Sequence, residues 1–363
     1  MAGARQGGCP ADILFAEGTP EVGDTCMHHG TTLIQFLTQQ QHGGAAIADD
    51  LIGLIGDVAR ACKMISDIVD HGDLRGEALA GHGDINVQGE TQKRLDLIAN
   101  DLMLRNTGWT GRVAGMASEE MEHISPVPEG APLGRYLLLF DPLDGSSNID
   151  VDASIGTIFS ILPRTRRDGA PATEEFLQPG RRQVCAGYAV YGPSTVFVFS
   201  TGHGVHVFTL DRNIGEFVLT RRDVRIPGQA TEFSINSSNA RFWEPAVREY
   251  IDDCVAGSDG PRGKNFNMRW IGAMVADAHR VISRGGVFMY PRDRKDPDKP
   301  SKLRLMYEVN PMAYLCEQAG GLGTTGYQDI LEVEPEHLHQ RIAAMFGSRE
   351  EIRTLLEYHR RHR

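Results

Sequence analysis

Apolar positions follow a helical rhythm early in the chain, a strand rhythm through its middle, and an alternation of the two toward its end. Ile47, Leu51, Leu54, Ile55, Val58 and Cys62 recur at three- and four-residue steps, which predicts a helix over residues 45–70. A helix over 31–41 precedes it, and a third is expected over 90–104 with Leu95, Ile98 and Leu102 on its buried stripe. Residues 1–27 read as a flexible tail, and 74–87, rich in Gly and Asp, as a loop. The continuous apolar run 136–140 predicts a strand buried on both faces. A short strand over 112–118 comes before it. Strands over 155–162, 184–191, Thr195–Ser200, 204–210 and 216–220 follow at close intervals, so much of this sheet should be antiparallel. Residues 163–182 read as a polar insertion.

After Ile226-Pro227-Gly228 the pattern changes. Helices are expected over 245–255, 271–284, 311–319 and 348–358, with strands at Val287–Tyr290 and 303–309. Ser348 with Glu351 fits a capping box, and Asn310 before Pro311 fits an N-cap with proline in the first turn. The boundary is set near 228, giving one domain over 28–228 and a second over 229–357.

Composition narrows the class. With 41% hydrophobic and 23% charged residues the chain is globular rather than disordered. Its net charge of −11 argues against a nucleic-acid partner, which calls for a basic face. The six cysteines are scattered without a C-x-x-C pair, which suits a reduced protein without a zinc site. No apolar run reaches the roughly 20 residues of a membrane span, and no secretory h-region opens the chain. The expectation is a soluble, cytoplasmic protein with no membrane partner.

The densest chemical signal is Phe140-Asp141-Pro142-Leu143-Asp144-Gly145-Ser146-Ser147-Asn148. A buried strand ends there in a turn with two carboxylates three residues apart. Glycine admits a close approach, and the Ser146 and Ser147 hydroxyls suit phosphate oxygens. The same residue types also make an ordinary surface turn. Glu119 and Glu120 close the preceding strand, either as solvated charge or as partners of Asp141 and Asp144. Convergence would favour hard cations, Mg²⁺ or Mn²⁺. Glu90, Asp96 and Glu308 also sit near element ends. On the expected strand 303–309, Lys302, Arg304, Met306 and Glu308 share one face. Gly321-Leu322-Gly323-Thr324-Thr325-Gly326 matches a dinucleotide pattern but follows a helix, so it reads as a loop.

The string Phe140-Asp141 through Ile149-Asp150 resembles the metal-binding signature of the lithium-sensitive, magnesium-dependent phosphatases. Ser118-Glu119-Glu120, Ser154-Ile155-Gly156-Thr157-Ile158-Phe159, the run from Met274 to Arg280 and the run from Lys302 to Tyr314 are similar to class I fructose-1,6-bisphosphatase. The resemblance covers about Gly30 to Gly326. It implies a layered α-β-α-β-α sugar phosphatase fold of the α/β class, with a mixed, largely antiparallel first sheet and a second, smaller sheet.

It further implies hydrolysis of the 1-phosphate of fructose 1,6-bisphosphate with roughly two or three Mg²⁺ ions per site. Metal ligands would be Glu119, Asp141, Asp144, Glu308, the Leu143 carbonyl and Glu90, the last where relatives usually carry Asp. Asp96 and Glu120 would position and deprotonate water. Asp144, Gly145, Ser146 and Ser147 would hold the reacting phosphate, and Asn236, Tyr290 and Lys302 the distal phosphate and sugar. Arg269 would reach that phosphate from a neighbouring subunit of a homotetramer. Trp270 and Asn239 stand where many members have Tyr. Gly30-Thr31-Thr32-Leu33 departs from the AMP-binding segment, although Arg135-Tyr136 keeps part of another contact, so AMP inhibition should be weak or absent. The insertion 163–182 carries no cysteine, which removes the chloroplast-type thiol switch. Sedoheptulose 1,7-bisphosphate is an alternative substrate, and a catalytically silent sugar-phosphate sensor is a remote alternative function.

Overall fold

The computed structural model describes residues 30–71, 94–166, 168–295 and 301–363, with the backbone of β1 (Asp84–Ile85) and its antiparallel partner β2 (Thr91–Gln92). The expected tail 1–27, most of the loop read over 74–87, and Glu90 lie outside these residues.

The first described elements besides β1 and β2 are helices: α1 (Leu33–His42), α2 (Asp49–His71) and α3 (Arg94–Thr107). Asp49 and Asp50 in the first turn of α2 and His71 in its last complement the helix dipole. The large sheet follows, built from β3 (Val113–Ser118), β4 (Ser125–Pro126), β5 (Tyr136–Asp144), β6 (Ile155–Pro163), β7 (Cys185–Tyr191), β8 (Thr195–Ser200), β9 (His206–Asp211) and β10 (Glu216–Arg221). Its spatial order is β10-β9-β8-β7-β6-β5-β3-β4. Every neighbouring pair is antiparallel except β3 with β5. The meander read from the sequence is therefore present, and its one parallel pair decides where the site forms.

The second half supplies β11 (Glu232–Ile235), α4 (Pro245–Ala256), β12 (Asn267–Met268), α5 (Met274–Arg284), β13 (Val287–Tyr290), α6 (Asn310–Gln318), β14 (Leu322–Thr324), β15 (Ala344–Gly347) and α7 (Arg349–Arg361). The second sheet runs β12-β11-β13-β15-β14, parallel across its first three strands and antiparallel across the rest.

Strand alternation stacks these elements into five layers. Leu138 and Phe140 of β5 face the core formed with α1, α2 and α3, whereas Leu137 and Leu139 face α5 and α6. Phe288 and Phe346 of the second sheet meet α5 and α6 from the opposite side. Val287, Met289 and Met345 turn outward under α4 and α7. The order helix, sheet, helix, sheet, helix matches the layered fold expected from the resemblance. Within the insertion 163–182, Phe176 is fully buried in the central core, so this segment is not purely a polar surface.

Several local expectations fail for identifiable reasons. No strand spans 303–309. Instead Leu305–Val309 forms a wide turn in which the Val309 N–H bonds to the Arg304 carbonyl, and it runs directly into α6. Asn310 consequently has helical dihedrals (φ −60°, ψ −50°) and caps nothing. The capping box at Ser348 is also absent. Ser348 Oγ accepts from the Gly286 N–H at 3.1 Å, and Glu351 is buried against Lys264 and Arg262 at 2.6 and 2.5 Å. β13, an unbroken apolar Val287–Tyr290, is legible at four residues, whereas β11, β14 and β15 are as short and are interrupted by polar residues or glycine; β14 occupies part of the segment read as a glycine-rich loop.

Candidate active site

Because β3 and β5 are parallel neighbours, their C-terminal ends emerge side by side, with Ser118 paired to Phe140. The Glu119 N–H donates to the Phe140 carbonyl at 3.0 Å, which seats Glu119 beside Asp141. Beyond Asp141 the pairing of β5 with β6 shifts register. Asp141 Oδ1 accepts from the Leu143 N–H at 2.9 Å, and Thr157 of β6 donates its hydroxyl to the Pro142 carbonyl at 2.8 Å. Gly145 then turns the chain with φ +81°, and a Cβ there would lie 2.3 Å from that of Ala273. Ser146 and Ser147 begin the short 3₁₀ turn that follows. Asp144 Oδ2 receives the Val275 N–H of α5 at 2.7 Å.

Glu308 arrives from the wide turn before α6. Its Oε2 accepts the Arg304 N–H at 2.6 Å, a contact that a strand would forbid by holding the two residues roughly 13 Å apart. Asp141, Asp144 and Glu308 thus present oxygens within 4.8 Å of one another, all buried. Among the described residues this is the one such group of potential metal ligands. Glu119 pairs with the Arg304 guanidinium, which also lies 3.7 Å from Glu308.

Crowding shows in the ionisation of these groups. Burial, then Glu119, Asp144 and Glu308, push the Asp141 carboxyl well above its usual range. Burial raises Glu119 as well, against the pull of Arg304. Asp144 is pushed up to about 7 by burial and Glu308, with the Val275 N–H and Lys302 acting in the other direction. Close, dry carboxylate oxygens repel one another unless a proton or cation intervenes, and a hard divalent ion fits this donor set.

A cleft of about 830 Å³ lies over the cluster. Glu119, Glu120, Asp141, Leu143, Asp144, Gly145, Ser146, Ser147 and Glu308 line it, together with Asn236, Tyr290 and Lys302. The structure therefore gathers twelve of the residues singled out from the sequence. Trp270 joins them, stacked on Phe288 at 6.3 Å and 8° and tilted against Tyr290. Two others are not among the lining residues: Asp96 is buried on α3, and Arg269 is exposed just beyond β12. Arg304 was missed as a site residue. Its four-residue spacing from Glu308 was the available signal, but the strand reading placed the two charges apart on one face. A neighbouring cavity of about 890 Å³ opens between Val69, Leu95, Ile149 and Pro193, away from the carboxylate cluster.

Residues 31–222 match the sequence family described as "Fructose-1-6-bisphosphatase, N-terminal domain", and residues 226–360 match "Fructose-1-6-bisphosphatase, C-terminal domain". The chain is also similar to the crystal structure of Leishmania major fructose-1,6-bisphosphatase in holo form. The two share 36% sequence identity over 90% of this chain and 98% of that one, with a TM-score of 0.83.

Proposed function

The chain belongs to the fructose-1,6-bisphosphatase family of sugar-phosphate phosphatases, and we propose that it removes the 1-phosphate of fructose 1,6-bisphosphate with the help of Mg²⁺ or Mn²⁺. The observation that carries this reading is the trio Asp141, Asp144 and Glu308, with oxygens within 4.8 Å, in one cleft with Lys302 and Tyr290. Asp141, Asp144, Glu308, Glu119 and the Leu143 carbonyl would hold the cations. When bound, such ions lower the pKa of a water and offset the charge of a phosphoryl group.

The chain's own groups supply the rest. Ser146 and Ser147, on a turn locked by Gly145, offer hydroxyls and N–H groups to the reacting phosphate. Glu120 lines the same cleft, only partly buried, and would take a proton from water. Asn236, Tyr290 and Lys302 hold the distal phosphate, whose binding energy orients the reacting end. Arg304 balances Glu119 and Glu308 from within the cleft.

Arg269, exposed outside the cleft, fits a role in a neighbouring subunit's site within a homotetramer. Asp96 and Glu90 remain candidates for water positioning and metal ligation. The reading also keeps the functional boundary near residue 228, weak or absent AMP inhibition, and a cytoplasmic setting. No helix among the described residues is long and apolar enough to cross a membrane.

The test is phosphate release with Mg²⁺ from fructose 1,6-bisphosphate, sedoheptulose 1,7-bisphosphate and inositol phosphate, with and without AMP. Preferential release from the fructose ester is expected. Preference for the seven-carbon sugar would reassign the substrate, and binding without release from any of them would favour the sensor reading.

A further inference from the structure

Asp277 lies in the first turn of α5, is 1% exposed, and takes no part in the chemistry proposed above. Its carboxylate nevertheless uses both oxygens. Oδ1 accepts from Ser234 Oγ at 2.8 Å and from the Ile271 N–H at 3.1 Å. Oδ2 accepts from the Gly272 N–H at 3.1 Å and shares the Ile271 N–H at 3.2 Å. A first-turn acid that only starts its helix reaches back to the N-cap N–H, here that of Ala273. Asp277 instead reaches amides further back, while the helix's Val275 N–H is given to Asp144 at 2.7 Å.

The short segment 271–275 is thereby tied to several elements that line the cleft. Asn148, next to Ser146 and Ser147, donates to the Ile271 carbonyl at 3.2 Å. Ser234 belongs to β11, which ends beside Asn236. Trp270, on the cleft wall, is the residue immediately before the anchored amides. A buried carboxylate is costly unless its donors are arranged around it. An amide in its place would turn an N–H₂ toward Gly272 or toward Ser234 and Ile271.

We infer that Asp277 is a positioning residue that holds Asp144 and the Trp270 wall in one register, acting through the peptide groups of Ile271 and Gly272 and strapped to β11 by the Ser234 hydroxyl. The inference rests on the functional reading above, and its test includes an arm that needs no turnover.

In the full-length protein, Asp277→Asn is expected to weaken Mn²⁺ binding, measured by titration calorimetry, by about tenfold or more. It should also lower kcat and raise KM for fructose 1,6-bisphosphate together. A purely structural role would lower the melting temperature but leave Mn²⁺ affinity, kcat and KM of the folded variant within about twofold of wild type, and that result overturns the inference. Should Asp277→Asn not accumulate folded, Ser234→Ala decides, since it keeps the carboxylate and both amide bonds. A several-fold rise in KM supports the strap to β11, and an unchanged KM overturns it. If wild type binds Mn²⁺ but hydrolyses no bisphosphate, the functional reading fails, and the Mn²⁺ affinity of Asp277→Asn still decides the role of Asp277.

Discussion

Two sets of residues make up the walls of the cleft, and they are built by opposite rules. In the first set, Glu119, Asp141, Asp144 and Glu308 are between 2% and 8% exposed, and the last three each accept a backbone N–H. In the second, Asn236 and Tyr290 are half-buried and Lys302 is exposed. The first set is buried, crowded and pinned, at a cost in stability, as charges that would work next to a reacting bond must be. The second stays near water, where desolvation costs little, as suits groups that under the proposed function would only grip a distal phosphate. Activity and stability should therefore respond in opposite directions on the first wall and independently on the second.

Asp141→Asn tests that contrast with the largest expected effect. Loss of one buried carboxylate should lower kcat on the order of 10³-fold, read as phosphate release. The same change relieves repulsion from Glu119, Asp144 and Glu308, so the metal-free variant should melt higher than wild type. Near-normal turnover, or a lower metal-free melting point, would break the distinction between the walls.

Gly145→Ala comes next. It keeps every charge but forces a side chain into a φ of +81° and against Ala273, which should shift the serine turn and the start of α5. A displacement on the order of 1 Å there predicts about a 10²-fold fall in kcat/KM. Lys302→Met probes the other wall. Removing a charged hydrogen-bond donor of about 1.5–3 kcal/mol predicts a KM higher by roughly 10–100-fold, with kcat less affected and the melting temperature nearly unchanged. A change confined to kcat would place Lys302 on the reactive wall instead.

The same division explains what the sequence made legible. The reactive wall was readable because Asp141, Asp144, Gly145, Ser146 and Ser147 are contiguous, and because Glu119 ends the strand beside them. Glu308 was picked out for the wrong geometric reason. The alternation of Lys302, Arg304, Met306 and Glu308 mimics a strand, whereas Pro311 sits comfortably in the first turn of a helix that the wide turn feeds. The helical layers were visible through long amphipathic periods. Most of the second sheet was not legible, since β11, β14 and β15 are short and, unlike the wholly apolar β13, broken by polar residues or glycine. Asp277 left no local signal either: Ser234 is 43 residues from it, and the Val275–Asp144 bond spans 131. Contacts of that range arise from packing, which periodicity does not encode.

The smallest effect offers the finest discrimination, because it reads the crowded wall through stability alone. Asp144 titrates at about 7 in the folded protein against an ordinary value of 3.8. Between those values the metal-free folded state holds a proton that the unfolded state has released, so this group's contribution to stability falls as pH rises from about 4 through 7. A divalent cation competes with that proton and binds the ionised form, so its stabilisation, RT ln(1 + [L]/Kd), grows over the upper part of the same window. Thermal unfolding with and without Mg²⁺ should show a larger rise in melting temperature at pH 8 than at pH 6, by a few degrees. In Asp144→Asn the difference between the two pH values should shrink, whereas in Lys302→Met it should persist. Equal shifts at both pH values in wild type would mean that the carboxylates are not held protonated by their crowding, and the contrast between the two walls would lose its electrostatic basis.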